Sequence, residues 1–247
     1  TAGAVEAALA CRKRTFATLP PLGDGLARVT FHTLAPGTFA PGEYLCGLDA
    51  GSTTTKAVLM RCDNKSIVAS AYLRTNGDPV AASRACYQSL LAQLPPGSTP
   101  DIVGLGVTGS GRLIVGLHGM TDGVVNEIVA HATAAVAFDP EVETIFEIGG
   151  QDAKYTFISQ RVASDYAMNE ACSAGTGSFL EEACREAMGV GTEEIAPLAL
   201  RATHPPNFSD QCAAFIGSDV NSAVQEGVGT EDVAGGLVYS ICQNYLN

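Results

Sequence analysis

From Tyr44 onward, short apolar runs and amphipathic stretches alternate in a regular order. Leu45–Asp49 and Lys56–Arg61 flank the polar turn Ala50-Gly51-Ser52-Thr53-Thr54-Thr55, a strand–turn–strand signature, and Ser66–Leu73 reads as the next strand. Asp78-Pro79 supplies a helix N-cap and an N1 proline, followed by Tyr87, Leu90, Leu91 and Leu94 at helical spacing. Ile102–Val107 is a β-like run ending in Thr108-Gly109-Ser110-Gly111. Glu127–Ala137 predicts a helix, Thr144–Ile148 a strand ending in Gly149-Gly150, and Tyr155–Ile158 with Arg161–Ala163 a hairpin. Three helices follow, Ser178–Met188, Ala213–Glu226 and Asp232–Leu246, the first two stopping at Gly189 and Gly227. This order predicts an open mixed sheet flanked by helices, an α/β architecture.

Residues 1–43 differ from the rest. Ala2–Phe16 has the pattern of a short helix, and Leu19–Gly42 is Pro- and Gly-rich, as in a loop or linker at the end of a preceding region. The expected division is therefore 1–43 as linker, 44–140 as a first subdomain and 141–247 as a second.

Composition narrows the class. The chain has 247 residues, 46% hydrophobic and 16% charged, with 27 glycines, which suits a compact, turn-rich fold. Apolar stretches break well before the ~18 residues of a membrane span. A formal net charge of −12 argues against a nucleic-acid surface but not against ATP, which backbone N–H groups and one lysine can hold. The eight cysteines are scattered without CxxC pairs, poor grounds for a disulfide framework, so a reducing cytoplasm is the expected compartment. Thr1 is not an initiator methionine, so a processed product or fragment is expected.

The turn Asp49-Ala50-Gly51-Ser52-Thr53-Thr54-Thr55-Lys56 concentrates an acid, a glycine, four hydroxyls and a lysine. Glycine lets the backbone approach a phosphate, and Ser52, Thr53, Thr54 and Lys56 can donate to it. Asp49 is placed to hold a magnesium-bound water. An ordinary Gly-Ser-Thr hairpin would look the same. A second element, Glu147-Ile148-Gly149-Gly150-Gln151-Asp152, again follows an apolar strand, and two such loops can clamp one triphosphate. Together they resemble the two phosphate motifs of the superfamily that contains actin, the heat-shock 70 chaperones and sugar kinases, whose core is ribonuclease H-like; neither is a Walker A loop. Cys172 and Cys212 each lie just ahead of a predicted helix, where a thiolate or an anionic iron–sulfur cluster is favoured. Two ligands per chain are too few for a Cys₄ cluster unless a two-fold dimer supplies four, and buried cysteine is also ordinary packing material.

Gly47–Lys56, Gly149-Gly150-Gln151-Asp152-Ala153-Lys154, Asn169–Gly177 around Cys172, and the Cys212 segment occur in the order seen in ATP-dependent activators of 2-hydroxyacyl-CoA dehydratases, a family to which the ATPase subunits of benzoyl-CoA reductases belong. Asn126-Glu127-Ile128 with His131 is similar to that family's helix between the phosphate elements. The resemblance implies an actin-like fold and ATP/ADP with Mg²⁺ at Gly51, Ser52, Thr53, Thr54, Lys56, Gly149, Gly150, Gln151 and Asp152. It implies Asp49 and Asp152 near the magnesium, and Asp49, Glu127 and Gln151 in catalysis, Glu127 positioning the attacking water. It further implies a homodimer sharing one [4Fe–4S] cluster through Cys172 and Cys212, an electron donor such as ferredoxin or flavodoxin, and a dehydratase or reductase partner receiving one low-potential electron. Ser178 stands where the family often has arginine, and Gly217-Ser218-Asp219 replaces a more acidic segment. The family normally continues past the equivalent of Asn247 with a strand and an adenosine-holding loop, so a C-terminally truncated piece of a longer activase is expected. The competing readings are an N-acetylhexosamine-type kinase of the same fold and a non-catalytic nucleotide-binding module.

Overall fold

The structure, a computed structural model, describes residues 15–31, 35–168, 176–208 and 213–246. Most of the expected Ala2–Phe16 helix, and both Cys172 and Cys212, lie outside the described residues. The chain forms two compact units: His32–Asn169, and Thr1–Phe31 together with Glu170–Asn247.

The first unit begins with β1 (Glu43–Ala50), β2 (Thr54–Arg61) and β3 (Ile67–Arg74), an antiparallel meander. Helix α1 (Pro79–Ala92) then carries the chain back so that β4 (Asp101–Thr108) pairs parallel to β1, giving the order β3-β2-β1-β4. A parallel neighbour requires such a crossover. The period-two alternation of β1 buries Tyr44, Cys46, Leu48 and Ala50, which leaves Asp49 on the opposite phase. Cys86 and Leu90 of α1, with Leu94 just past its end, complete the core against these side chains. As its sequence predicts, α1 starts at Asp78, whose carboxylate accepts the Ala81 N–H at 2.9 Å, with Pro79 in the first turn. Burial pushes the Cys46 thiol up to about 11, so it acts as packing.

After β4 come α2 (Arg112–His118) and α3 (Glu127–Phe138), then a second antiparallel sheet of β5 (Thr144–Ile148), β6 (Ala153–Ser159) and β7 (Val162–Met168). Helix α3 packs on β6 and β7. The apolar pattern does not announce α2, because it is only two turns long and follows four residues of turn-forming sequence.

The second unit is helical: α4 (Gly177–Met188), α5 (Thr192–Leu200), α6 (Ala213–Gln225) and α7 (Thr230–Leu246). Helix α5 is hidden in the sequence by Pro197, which sits inside it. Glu194 starts that helix by accepting the Gly191 N–H at 3.3 Å. Helix α4 ends as expected at Gly189, with φ +67°. The shared core is Phe179, Cys184, Ile195, Phe208, Ile216, Val220, Val233 and Leu237. Gly236 of α7 lies so close to the Pro206 carbonyl that a Cβ would sit 2.6 Å from it.

The stretch read as loop or linker holds a 3₁₀ turn at Leu22–Arg28 and is anchored just before it. Phe16 packs edge-on against Phe208 with centroids 5.4 Å apart. The Leu19 N–H donates to the Pro205 carbonyl and the Asn207 N–H to the Ala17 carbonyl, both at 2.7 Å. These long-range contacts leave no periodicity to read. Among the described residues, no helix is long and apolar enough to cross a membrane.

Phe208 is 1% exposed at the centre of the helical core. Phe208→Ala is expected to cost about 3–5 kcal/mol through lost burial and a cavity. Denaturant titration followed by circular dichroism measures this; a change under ~1 kcal/mol contradicts the packing described.

Candidate functional site

The pocket is built from two copies of one device. Asp49 and Lys56 are cross-strand partners on β1 and β2, and Lys56 Nζ lies 3.0 Å from Asp49 Oδ2. Glu147 and Lys154 are cross-strand partners on β5 and β6, Nζ lying 3.4 Å from Oε1. In the first turn the Gly51 N–H donates to the Thr54 carbonyl at 3.0 Å; in the second the Gly149 N–H donates to the Asp152 carbonyl at 2.8 Å. Acid, glycine two residues on and lysine seven residues on thus recur in one geometry. The Gly51 and Gly149 N–H groups thus close their own turns.

The turns meet. A Cβ at Gly150 would stand 2.2 Å from Thr53 Oγ1, so this position has no room for a side chain. The first turn is braced from behind: the Thr75 hydroxyl donates to the Gly51 carbonyl at 2.7 Å, its N–H donates to the Thr53 carbonyl at 3.0 Å, and buried Thr55 lies 2.9 Å from it.

A third loop completes the floor. Gly109, at the end of β4, has φ +91° and approaches so closely that a Cβ would lie 2.4 Å from Asp49 Oδ1. The Gly111 N–H donates to the Ala50 carbonyl at 2.8 Å. β1 and β4 are adjacent parallel strands, so both glycine-bearing ends open on the same crevice, the usual place for a ligand in an α/β sheet. Behind it, Thr108 Oγ1 is buried with no hydrogen-bond partner among the described residues, cross-strand from Asp49.

The charged wall runs from α2 to β5. Asn126 caps α3 by accepting the Ile128 N–H at 2.9 Å, which sets Glu127 in the first turn. Glu127 Oε1 is 2.9 Å from Lys154 Nζ and Oε2 is 3.6 Å from Arg112 Nη1. One turn along α3, His131 Nδ1 is 2.6 Å from Glu147 Oε2. The Lys154 side chain is only 5% exposed. Burial pushes its ammonium down, yet the hydrogen bond to Glu127 and the charges of Glu147 and Glu127 hold it above its ordinary value. Burial pushes the Glu147 carboxyl up, but His131 and Lys154 outweigh this and hold it down. The hydrogen bond to Glu147 raises His131, against burial.

One crevice in the first unit is therefore lined by Asp49, Gly51, Ser52, Thr53, Thr54, Lys56, Gly149, Gly150, Gln151 and Asp152, the expected residues of both hairpins, and by Glu127 of α3. His131, Glu147, Lys154, Gly109 and Ser110 line it too, although the motifs singled out none of them as site residues. The seven-residue acid-to-lysine spacing, shared by both hairpins, was the available signal. Among the described residues no three His, Cys, Asp or Glu side chains converge on a metal-holding point. The crevice does offer the carboxylates of Asp49 and Asp152, a set that fits magnesium, which takes one or two carboxylates and leaves its other positions to water and phosphate.

Two glycine hairpins opposed across a crevice, each with a cross-strand acid and lysine, define an ATPase of the actin-like fold. The family model of the BadF/BadG/BcrA/BcrD ATPase family matches residues 46–246, and the chain belongs to that family. The activator of lactoyl-CoA dehydratase from Anaerotignum propionicum is 31% identical over 80% of this chain and 74% of its own. The (R)-2-hydroxyglutaryl-CoA dehydratase activating ATPase from Acidaminococcus fermentans is 29% identical over 82% and 76%. The solved activator of the 2-hydroxyisocaproyl-CoA dehydratase from Clostridium difficile, with bound ADPNP, superimposes with a TM-score of 0.74 at 29% identity, covering 82% of this chain and 74% of its own.

Two outcomes follow. Gly109→Ala places a methyl group against Asp49 in a left-handed conformation and should cost about 1–3 kcal/mol, measured by denaturant titration; an unchanged midpoint contradicts the close approach. The His131–Glu147 pair also makes stability pH-dependent. The raised His131 contributes fully below its unfolded value near 6.5 and loses that contribution as pH rises through its higher folded value; the lowered Glu147 contributes above 4.5 and loses it as pH falls through its lower folded value. Subtracting the melting curve of Glu147→Gln should leave a difference that is largest between pH 4.5 and 6.5. A flat difference contradicts the pair.

Proposed function

We propose that this chain is an ATP-driven activator that delivers a low-potential electron to an acyl-CoA dehydratase or benzoyl-CoA reductase-type partner. The observation that carries the nucleotide half is the pair of opposed hairpins that line one crevice. The phosphates lie between Gly51–Thr54 and Gly149–Asp152, with Lys56 and the hydroxyls of Ser52, Thr53 and Thr54 donating. Asp49 and Asp152 are the carboxylates that would hold Mg²⁺, which would neutralise phosphate charge. Gln151 and Glu127 orient the water that attacks the terminal phosphate. The halves 44–140 and 141–247 each open on one acid–glycine–lysine hairpin, which supports reading them as the two subdomains.

The redox half rests on Cys172 and Cys212 of two chains holding one [4Fe–4S] cluster at a homodimer interface. Its support is indirect: the helices that follow these cysteines, α4 and α6, share the core of Phe179, Ile216 and Val220. When bound, the cluster supplies the one-electron chemistry, received from a ferredoxin or flavodoxin. Helices packed in one core move together, so a shift driven by phosphate state would alter exposure and hydrogen bonding around both thiolates.

Asp49→Asn should lower Mg-dependent phosphate release by about 100-fold, of the order seen when one electrostatic stabiliser is removed. Anaerobic purification with iron and sulfide analysis should give a brown protein with about two irons per chain, colourless after Cys172→Ala or Cys212→Ala. A colourless unaltered protein after cluster reconstitution would falsify the electron-transfer reading and leave the ATPase standing.

A further inference from the structure

We infer that His131, oriented by Glu147, takes the proton from the water that attacks the terminal phosphate. The inference rests on reading the crevice as the ATP site and assigns it a catalytic residue beyond those proposed above.

Geometry separates the two carboxylates of the wall. Both oxygens of Glu127 are engaged, one by Lys154 at 2.9 Å and the other by Arg112 at 3.6 Å. With both oxygens engaged by cations, Glu127 orients and neutralises. Glu147 is likewise held by Lys154 at 3.4 Å, but its other oxygen binds His131 Nδ1 at 2.6 Å. That bond fixes the tautomer with the proton on Nδ1 and leaves Nε2 as the acceptor. Nε2 has no partner among the described residues, and the ring, 38% exposed, lines the same crevice as both hairpins. A base held by a carboxylate at its far nitrogen is the arrangement that general-base catalysis requires.

The groups facing the imidazole set its titration: Glu147 from β5, Asp49 from β1 and Lys154 from β6, with Glu127 one turn away on its own helix. The Glu147 hydrogen bond dominates and raises His131 above its ordinary value, against burial.

The step balances. The Nε2 lone pair takes one proton from water, and the resulting hydroxide oxygen bonds to the terminal phosphorus. The bond from that phosphorus to the β–γ bridging oxygen breaks, and ADP keeps the electron pair. Orthophosphate leaves, and the imidazolium returns its proton to solvent through the exposed part of the ring.

The test measures binding and turnover separately on the whole chain. ADPNP with magnesium is titrated calorimetrically, and phosphate release from ATP is followed between pH 5.5 and 8.5. His131→Ala, with His131→Gln as a second variant, should bind ADPNP within about twofold of the unaltered chain. Turnover should fall about 100-fold, within the usual contribution of a positioned base, and added imidazole should restore part of it in the alanine variant. Glu147→Gln should move the acid limb of kcat to lower pH, a displacement that a purely structural role would not produce. Either His131 variant turning over within threefold of the unaltered chain, or an acid limb that stays put in Glu147→Gln, overturns the assignment alone. Failure of the unaltered chain to bind ADPNP overturns both this inference and the site reading.

Discussion

Taking an ammonium out of water is costly unless its charge is answered, and Lys154 is answered twice, by Glu127 from α3 and by Glu147 from β5. These two contacts tie the second hairpin to the helix between the sheets. Glu127 passes the charge on to Arg112, and Glu147 passes it to His131, so α2, α3, β5 and β6 share one network. Breaking the network at Lys154 would leave two carboxylates facing each other in a partly buried wall. The crevice is thus shaped by electrostatics on one side and by glycine contacts on the other. At Gly109 and Gly150 the backbone packs against Asp49 and Thr53 with no space for a methyl group.

That division explains what the sequence showed and what it hid. Strands β1 and β2 and both hairpins were legible because period-two burial and glycine turns are local signals, and Asp78-Pro79 marked the start of α1. Helix α5 was hidden by its internal Pro197, and α2 by its two-turn length. In the site, the hairpin residues were legible as motifs, whereas the wall was not. Arg112 and Lys154 meet at Glu127 only because β6 and the α2–α3 region fold together, and nothing within eleven residues of Glu127 announces either partner. The N-terminal segment was read as a linker for the same reason: Phe16 finds Phe208 nearly two hundred residues away.

The two hairpins also suggest how a nucleotide could be sensed. They touch through Thr53 and Gly150, and each turn is closed by its own glycine N–H. A triphosphate between them would separate the tips while drawing on Lys56 and the hydroxyls. The second tip is continuous with β6 and therefore with Lys154, so the displacement would reach the charged wall before anything else. In the proposed activator, that is where phosphate state would first become conformational state.

The central claim, that the opposed hairpins hold the phosphates, is tested most directly by a crystal structure of this chain with magnesium and ADPNP. The account predicts the phosphates between Gly51–Thr54 and Gly149–Asp152, magnesium on the Asp49 side and His131 facing the terminal phosphate. Nucleotide bound elsewhere, with Thr53 and Gly150 still in contact, would contradict it.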